Sequence, residues 1–307
     1  MIVLRVVKPG VLSLLQDAGR FGHHAIGLTS GGPLDGEAFY WANRLCVNEF
    51  GATALEVAQG GVRMECLGET TMAVTGAPMP LRVNGRTKGL WRSHKLQPGD
   101  MIELGHAAKG MRAYLAVSGG FKAEEFFGST ATVIREGIGN PLKAGQELCC
   151  GLVNDEQWAL PMEAVPRYSD SVSLRLIPGY QFEQFSRRAH NVLSGGSFTV
   201  SNRLDRMGCI LKGNPVESPE TEMLSEGISL GAVQVPPDGQ LIILLNDRQT
   251  VGGYPKLGSV LSVDLWKLAQ CRPESQVRFE MINLEAAQKI IKNALAKRES
   301  TRLKRCL

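Results

Sequence analysis

Frequent glycine is the feature of this sequence that most limits its fold. The chain of 307 residues contains 35 glycines, and aromatic residues make up 6% of it. Turns therefore interrupt the chain often and its apolar segments stay short, which is typical of β structure. Apolar and polar residues alternate in residues 111–117 and 171–176, so both segments are predicted to be half-buried strands. Asn84 and Gly85 predict a type I′ hairpin turn, because both turn positions need a positive φ.

Helices are predicted to be few and short, within a mostly β fold. Asp35 can cap one helix, whose apolar face is formed by Ala38, Trp41, Ala42 and Leu45. Asn283 can cap a second helix, whose apolar face is formed by Ala287, Ile290, Ile291 and Leu295. Beyond Ala296 the sequence is charged and loses its periodicity, which predicts a fraying helix or a disordered end.

Two strand-rich halves of the chain predict two domains. Residues 154–170 are polar and contain Pro161 and Pro166, so this stretch is the candidate linker. The predicted domains are an N-terminal β domain at residues 1–155 and a C-terminal β domain at residues 170–307, which includes the second helix. A layout of two barrels follows from this division.

Charge and composition exclude several classes of protein. The formal net charge of +4 arises from 34 basic and 30 acidic residues, and much of the excess lies in residues 289–305. The rest of the chain is near neutral, so nucleic acid is not an expected partner. No apolar run approaches the roughly 20 residues of a membrane helix, so no membrane contact is expected. The seven cysteines have no CxxC spacing, which predicts reduced thiols in a cytoplasmic protein and no metal site.

The common catalytic signatures are missing from the sequence. Gly105 and Gly110 have the spacing of a P-loop start, but Met111 stands where the phosphate-binding lysine should be. Ser118 lacks the preceding glycine that a nucleophile elbow requires. The five histidines have no metal-ligand spacing, so each is expected to be a surface or loop residue.

Polar side chains cluster among glycines in residues 16–35. Gln16, Asp17 and Arg20 precede a glycine-rich loop, whose backbone N–H groups can approach a small polar substrate closely. The alternative is structural: an ion pair between Asp17 and Arg20 would brace a turn, and Asp35 would only cap a helix. Composition does not favour the binding site over this alternative.

Two further polar clusters lie in the second half of the chain. The first, residues 201–208, is rich in amide and charged groups, and a solvated turn is the usual explanation for such a run. The second, residues 246–256, follows an apolar strand predicted for residues 241–245. That strand would deliver Asn246 and Asp247 to the end of a sheet, where binding sites tend to form. A purely structural explanation is therefore weaker for the second of these clusters.

These polar residues belong to longer blocks that resemble a known family. The blocks are residues 15–20, 42–45 with Asn48, 54–56, 113–120, 128–129, 201–208, 225–256 and 268–270. Over nearly all of residues 1–280, and in the same order, the sequence is similar to the allophanate hydrolase subunit 2 or KipA-type family of biotin-dependent-carboxyltransferase-like proteins. It departs from the usual family pattern at residues 29–35 and 135–142, although Asp35 is retained.

The resemblance implies two cyclophilin-like β-barrel domains and the activity of the 5-oxoprolinases in this family. In that activity, such a protein acts with a KipI-like B-type subunit and a lactam-utilisation A-type subunit. Together they open the lactam of 5-oxo-L-proline to L-glutamate, and ATP hydrolysis drives the reaction. The incomplete P-loop predicts that ATP is bound mainly by a partner subunit. Two alternatives stay open: a carboxyltransferase that moves a carboxyl group from biotin to urea or another amide, and a non-enzymatic KipA-like antagonist of a kinase inhibitor.

Residue type and the resemblance together suggest roles for the polar residues. The candidates for proton transfer are Asp17, Glu56, Asp205 and Asp247. Lys256 is expected to offset developing negative charge. The arginines expected to bind carboxylate or phosphate oxygens are Arg20, Arg203 and Arg206. The amide side chains expected to hydrogen-bond the substrate amide are Gln16, Asn202, Gln234, Asn246 and Gln249. We expect Arg206→Ala to abolish activity with little change in thermal stability.

Overall fold

The chain divides into two compact units. The computed structural model describes residues 2–151, 156–219 and 223–306. Unit 1 comprises Met1–Phe21, Gly31–Tyr168 and Thr301–Leu307, and unit 2 comprises Gly22–Ser30 and Ser169–Ser300. The first predicted domain ends at residue 155, which lies outside the described residues, as does the start of the candidate linker.

Two large β-sheets and the helix α1 (Gly36–Leu45) form most of the described part of unit 1. The strands are β1 (Ile2–Pro9), β2 (Leu12–Gln16), β3 (Ala54–Ala58), β4 (Val62–Cys66), β5 (Thr70–Gly76), β6 (Leu81–Val83), β7 (Arg86–Lys88), β8 (Ser93–Leu96), β9 (Met101–Leu104), β10 (Arg112–Val117), β11 (Phe121–Lys122), β12 (Glu147–Cys150) and β13 (Trp158–Ala159). The larger sheet has the order β11-β12-β1-β4-β9-β6-β7, and the other has the order β2-β3-β10-β5-β8. Both sheets contribute to one apolar core, which includes Leu4 of β1 and Leu55 of β3.

Strand β10 is buried on both faces, so the prediction of a half-buried strand at this position is wrong. It lies in the middle of its sheet, between β3 and β5. Leu115 packs in the core that both sheets share, whereas Tyr114 packs on the opposite face with residues of α1. The tyrosine and arginine that suggested a solvated face are therefore covered, because a helix lies over that face of the sheet.

The helix predicted after Asp35 is confirmed as α1. Asp35 is its N-cap and accepts a hydrogen bond from the backbone N–H of Ala38 at 2.9 Å. The predicted apolar face is buried in a cluster with Tyr114 of β10. A capped amphipathic helix is specified by residues close in sequence, which explains why the local pattern was sufficient here.

The hairpin predicted at Asn84 and Gly85 is also confirmed. The flanking residues Val83 and Arg86 pair across strands β6 and β7. Both turn residues have a positive φ, 52° for Asn84 and 73° for Gly85. These values are those of a type I′ turn, for which asparagine followed by glycine is the preferred pair.

A closed seven-stranded barrel forms the centre of the described part of unit 2. The strands of this unit are β14 (Ser171–Pro178), β15 (Phe198–Leu204), β16 (Gly208–Lys212), β17 (Glu226–Gly227), β18 (Ala232–Gln234), β19 (Leu241–Leu244), β20 (Val251–Gly252), β21 (Lys256–Val260) and β22 (Gln276–Met281). The barrel order is β14-β21-β18-β19-β16-β15-β22, and a parallel pairing of β14 with β22 closes it. Burial alternates along β14 as predicted from its sequence.

Helices contribute little to unit 2, and the predicted mostly β fold with few helices is confirmed. They are α2 (Arg187–Gly195), α3 (Leu265–Ala269) and α4 (Leu284–Ser300). Short 3-10 turns of the described chain lie at His24–Ile26, Ile134–Glu136, Met162–Ala164, Phe182–Gln184 and Ser262–Asp264. Asn283 caps α4 by accepting a hydrogen bond from the backbone N–H of Ala286 at 2.8 Å, as predicted. Among the described residues, no helix has both the length and the apolar character needed to cross a membrane.

The C-terminal tail is folded as far as Cys306, so the prediction of fraying or disorder beyond Ala296 is wrong for the described residues. Helix α4 continues to Ser300, and β23 (Lys304–Arg305) then pairs antiparallel with β13. Arg44 donates a hydrogen bond to the carbonyl oxygen of Thr301 at 2.9 Å. Leu303 packs against the apolar cluster around α1. Backbone pairing and one apolar side chain order this charged segment, and neither produces a periodic pattern in the sequence.

Deletion of Thr301–Leu307 is expected to lower the free energy of unfolding by about 2–4 kcal/mol. The deletion removes the packing of Leu303 and the backbone hydrogen bonds of β23 from unit 1. Urea unfolding followed by circular dichroism measures the difference. Arg302→Ser changes an exposed residue of the same tail and is expected to shift stability by less than about 0.5 kcal/mol. A deletion variant as stable as the full chain would show that the tail contributes nothing to the fold.

Candidate functional site

Two residues of the first predicted cluster, Gln16 and Asp17, bond to a segment far along the chain. The buried Gln16 side chain donates through Nε2 to the carbonyl oxygen of Thr132 at 2.9 Å. Asp17 accepts hydrogen bonds from the Ser129 hydroxyl at 2.6 Å and from the Thr130 backbone N–H at 2.8 Å. Both side chains therefore fix the position of this segment of unit 1.

Arg20 belongs to the same arrangement. It is 1% exposed, and its guanidinium donates hydrogen bonds to the carbonyl oxygens of Phe126 at 3.4 Å and Ala131 at 2.6 Å. Asp17 also accepts a hydrogen bond from the backbone N–H of Gly19 at 2.8 Å. The turn is therefore braced by the bond from Gly19 to Asp17 and by the bonds from Arg20 to carbonyl oxygens, whereas the ion pair between Asp17 and Arg20 stays a prediction. The roles of Gln16, Asp17 and Arg20 in substrate binding or proton transfer stay predictions.

Glu56 is buried on β3 and is part of a hydrogen-bond network in unit 1. One of its carboxylate oxygens accepts from the Tyr114 hydroxyl at 2.6 Å and from the Leu34 backbone N–H at 3.0 Å. The other lies 3.7 Å from Nε of Arg112. Burial, with the nearby charges of Glu56 and Asp35, raises the pKa of Tyr114 well above its ordinary value. The phenol therefore stays protonated and donates to Glu56.

The residues of the second predicted cluster are not brought together at one point. Asn202 and Arg203 are exposed near the end of β15. Asp205 accepts hydrogen bonds from the backbone N–H groups of Met207 at 2.7 Å and Gly208 at 3.1 Å. The Asp205 carboxylate thus shapes the turn between β15 and β16, as a structural explanation of this run anticipates.

Arg206 and Asp247 form a buried, bidentate ion pair in unit 2. Nε of Arg206 lies 2.9 Å from Oδ2 of Asp247, and Nη2 lies 2.9 Å from Oδ1. The next residue, Arg248, is also buried and donates to the carbonyl oxygen of Ile228 at 3.1 Å, and burial lowers the pKa of its guanidinium. Asn246 and Gln249 of the same loop are half-buried. The ion pair ties the turn after β15 to the loop after β19.

Lys256 lies in a group of polar side chains on the unit 2 barrel. It is the first residue of β21 and pairs across the sheet with Gln234 of β18. Its ammonium group forms an ion pair with Glu226 and donates to the carbonyl oxygen of Gly227 at 3.4 Å. The Tyr180 hydroxyl also donates to Glu226. We call this group the Glu226–Lys256 cluster; its members are Tyr180, Gln181, Glu226, Gln234 and Lys256.

Gln181 links the members of this cluster. It is 2% exposed, and its Oε1 accepts a hydrogen bond from the backbone N–H of Lys256 at 2.7 Å. Its Nε2 donates to the Tyr180 hydroxyl at 2.9 Å and to Glu226 at 3.2 Å. A buried amide that contacts three other members holds the cluster in one geometry.

Groups in different protonation states lie side by side in the Glu226–Lys256 cluster. Hydrogen bonds from Lys256 and then Tyr180 lower the pKa of Glu226 below its ordinary value. The hydrogen bond to Glu226 raises the pKa of Tyr180. At neutral pH the cluster therefore combines an ionised carboxylate, a protonated phenol and an ammonium group. The ammonium group and the phenol can stabilise developing negative charge.

Gln234 supplies a hydrogen-bond donor that the described residues do not use. The residue is 1% exposed, and its Nε2 is buried without a hydrogen-bond partner in the described part of the chain. A Cβ atom at Gly252 would lie 3.1 Å from this nitrogen and 2.5 Å from Cδ1 of Ile228, so a larger residue there would require the Ile228 side chain to shift. An unused buried donor is unfavourable unless a ligand or water satisfies it. Gln234 therefore fits the predicted role of binding a substrate oxygen.

Sequence reasoning singled out two members of the cluster, Gln234 and Lys256. It did not select Glu226, although that residue lies in one of the blocks that carry the family resemblance, because one acidic residue beside a glycine forms no motif. Tyr180 and Gln181 follow β14 outside every polar run, so the sequence offered no signal for them. No group of three or more His, Cys, Asp or Glu side chains in the described residues is placed to hold a metal ion.

Comparison with known proteins places this chain in a family. The family model "Carboxyltransferase domain, subdomain A and B" matches residues 26–281. The chain is 32% identical over 294 residues to the C-type subunit of the 5-oxoprolinase of Escherichia coli, and the match covers 94% of each chain. The crystal structure of TTHA0988 matches with a TM-score of 0.85 and 35% identity over 91% of this chain and 55% of that one, so this chain spans about half its length. The urea amidolyase of K. lactis, at 23% identity, shares the fold with a TM-score of 0.91 over 98% of this chain and 20% of its own. The chain thus belongs to the carboxyltransferase domain A and B family.

Proposed function

We propose that this chain is one component of an ATP-dependent 5-oxoprolinase, which hydrolyses 5-oxo-L-proline to L-glutamate with A-type and B-type subunits in the cytoplasm. The observation that carries the proposal is the identity of 32% to the C-type subunit of the E. coli 5-oxoprolinase over 94% of both chains. A continuous match of nearly equal length supports a shared role as well as a shared fold.

The Glu226–Lys256 cluster supports the proposal through its chemistry. Hydrolysis of the lactam breaks the ring C–N bond, forms a bond from a water oxygen to the carbonyl carbon, and transfers a proton to the nitrogen. Negative charge develops on the carbonyl oxygen, and the Lys256 ammonium and the Gln234 amide are donors suited to that oxygen. Hydrogen bonds keep Glu226 ionised, so its carboxylate is suited to accept a hydrogen bond from the attacking water and orient it.

The loop at residues 105–110 supports binding of ATP mainly by a partner subunit. A P-loop places phosphates at the N-terminus of the helix that follows it. Here the loop joins strands β9 and β10, and the next element is therefore a strand. Its Gly105 backbone also packs directly against Gly60, which leaves no cradle at that point.

Turnover of 5-oxoproline is expected only when this chain is combined with both the A-type and the B-type subunit. The chain offers charged and amide ligands for a small substrate, but its P-loop-like segment does not form a nucleotide site. Glutamate formation and ATP hydrolysis should be measured for each purified subunit alone, in pairs and together. Turnover by this chain alone would contradict the shared site, and full turnover by the other two subunits would make this chain an accessory protein. Carboxylation of urea by the chain with a biotin carrier would replace the proposal by the carboxyltransferase alternative.

A further inference from the structure

Arg248 is a buried cation of unit 2 with no anion beside it. The residue is 5% exposed, and its guanidinium donates to two neutral acceptors, the carbonyl oxygens of Ile228 at 3.1 Å and Leu245 at 3.4 Å. Among the described residues it forms no ion pair, and burial alone lowers the pKa of its guanidinium. Arginine nevertheless stays charged at neutral pH. Unit 2 therefore holds a positive charge that its own described residues do not neutralise.

Two other arginines of unit 2 have the carboxylate partner that Arg248 lacks. Nε and Nη2 of Arg175 lie 2.7 Å and 2.6 Å from the carboxylate oxygens of Asp264. Arg206 forms the same bidentate pair with Asp247. A charge removed from water is unfavourable unless an opposite charge compensates it. The compensating anion for Arg248 must therefore come from outside the described residues, and a bound ligand can supply it.

One nitrogen of this guanidinium is available to such a ligand. Nε and Nη1 of Arg248 are bonded to the two carbonyl oxygens, which fixes the plane of the group. Nη2 donates to no described residue and is not completely buried. The planar guanidinium matches the geometry of a carboxylate, and the resulting charged hydrogen bonds are strong. The chemistry of the site therefore favours a small carboxylate.

Arg248 lies beside the Glu226–Lys256 cluster. Its Nε bonds to the carbonyl oxygen of Ile228, and the Lys256 ammonium bonds to the carbonyl oxygen of the residue before Ile228. The Ile228 side chain in turn borders Gly252, as does the unused Nε2 of Gln234. The two cations and the free amide donor therefore surround one short segment of unit 2.

We infer that the Arg248 guanidinium binds the carboxylate of 5-oxo-L-proline. This carboxylate is ionised at neutral pH. It and the lactam carbonyl oxygen are carried by the two ring carbons on either side of the nitrogen, so a single substrate can engage Arg248 together with Lys256 and Gln234. That the anion is 5-oxoproline rests on the proposed function, whereas the need for an anion rests on the buried charge.

The test is the substitution Arg248→Met in the full chain, with the affinities for 5-oxo-L-proline and 2-pyrrolidinone measured by NMR titration. 2-Pyrrolidinone is the same lactam without the carboxylate. We expect the wild type to bind 5-oxo-L-proline at least about tenfold more tightly than 2-pyrrolidinone, because only the former pairs with Arg248. Arg248→Met is expected to bind the two lactams nearly alike. A fault in the folding of this variant would weaken both affinities and leave their ratio unchanged.

Two further variants and a kinetic measurement separate the contact from other effects. Arg248→Lys keeps the charge and is expected to retain part of the preference for 5-oxo-L-proline. Arg278→Met is the matched control, because it makes the same change of charge at an exposed residue of β22, and it is expected to keep the full preference. In the reconstituted complex, Arg248→Met should raise KM by at least about tenfold and change kcat little, since the contact is the same in the ground state and the transition state.

A wild-type chain that binds the two lactams equally, or binds neither, would overturn the inference. An undiminished preference in Arg248→Met would do the same. Acetate carries a carboxylate without a lactam, so binding of acetate as tight as that of 5-oxo-L-proline would assign the site to a different carboxylate and overturn the inference as well. A preference that depends on Arg248, in a complex that does not hydrolyse 5-oxoproline, would support the inference and refute the proposed function alone.

Discussion

Arg206→Ala is expected to lower the free energy of unfolding by about 3–5 kcal/mol, because it leaves the buried carboxylate of Asp247 without its partner. The side chains of Arg206 and Asp247 are 8% and 6% exposed, so water cannot replace the lost hydrogen bonds. This result differs from our expectation from the sequence that thermal stability would hardly change. Urea unfolding at neutral pH measures the effect, and Asp247→Ala is expected to give a loss of similar size.

Two control variants distinguish the loss of the buried ion pair from other effects of substitutions in β15 and in the turn that follows it. Arg203→Ala removes an exposed arginine near the end of β15 and is expected to change stability by less than about 0.5 kcal/mol. The double variant Arg206→Met with Asp247→Leu removes both charges and is expected to be more stable than either single variant at this pair. A loss below about 1 kcal/mol for Arg206→Ala would show that the pair is solvated in solution. Because Arg206→Ala is expected to be destabilised, its activity must be compared with that of the wild type at equal concentrations of folded protein.

Features that depend on neighbouring residues could be predicted from the sequence. The cap at Asp35 and the turn at Asn84 and Gly85 follow from local preferences of side chains and backbone, and both are present. The burial of β10 could not be predicted in the same way. Its outer face is covered by α1, and that contact joins residues far apart in the chain. Alternation shows that a strand has two different faces, but not whether a helix covers the more polar one.

The residues of the candidate site were harder to predict from the sequence than the elements of the fold. Lys256 stood out because it lies in a polar cluster, and Gln234 because it is an amide within a block that carries the family resemblance. Tyr180, Gln181 and Glu226 join them only through folding, since β14, β17 and β21 bring separate parts of the chain together. The charges of Arg206 and Asp247 marked them in the sequence as functional candidates, and we interpreted them as ligands for a substrate. In the structure these two groups bind each other, and their roles toward a substrate stay predictions.

Lys256→Met is expected to reduce turnover of the reconstituted 5-oxoprolinase by about 10²–10³-fold, because it removes a charge proposed to stabilise the carbonyl oxygen. Methionine keeps most of the length of the stem, and the Lys256 side chain is 13% exposed, so packing on the barrel is largely retained. Steady-state kinetics with 5-oxoproline and ATP should show the loss in kcat more than in KM, since the charge develops in the transition state. Lys212→Met is the matched control: Lys212 also pairs with a glutamate, Glu274, on the same barrel but is 57% exposed. It is expected to leave kcat unchanged. An equal loss of kcat in both variants would show that Lys256 has no special role in the reaction. A loss of kcat in Lys256→Met that is explained by a lower thermal midpoint would show that Lys256 is a structural residue.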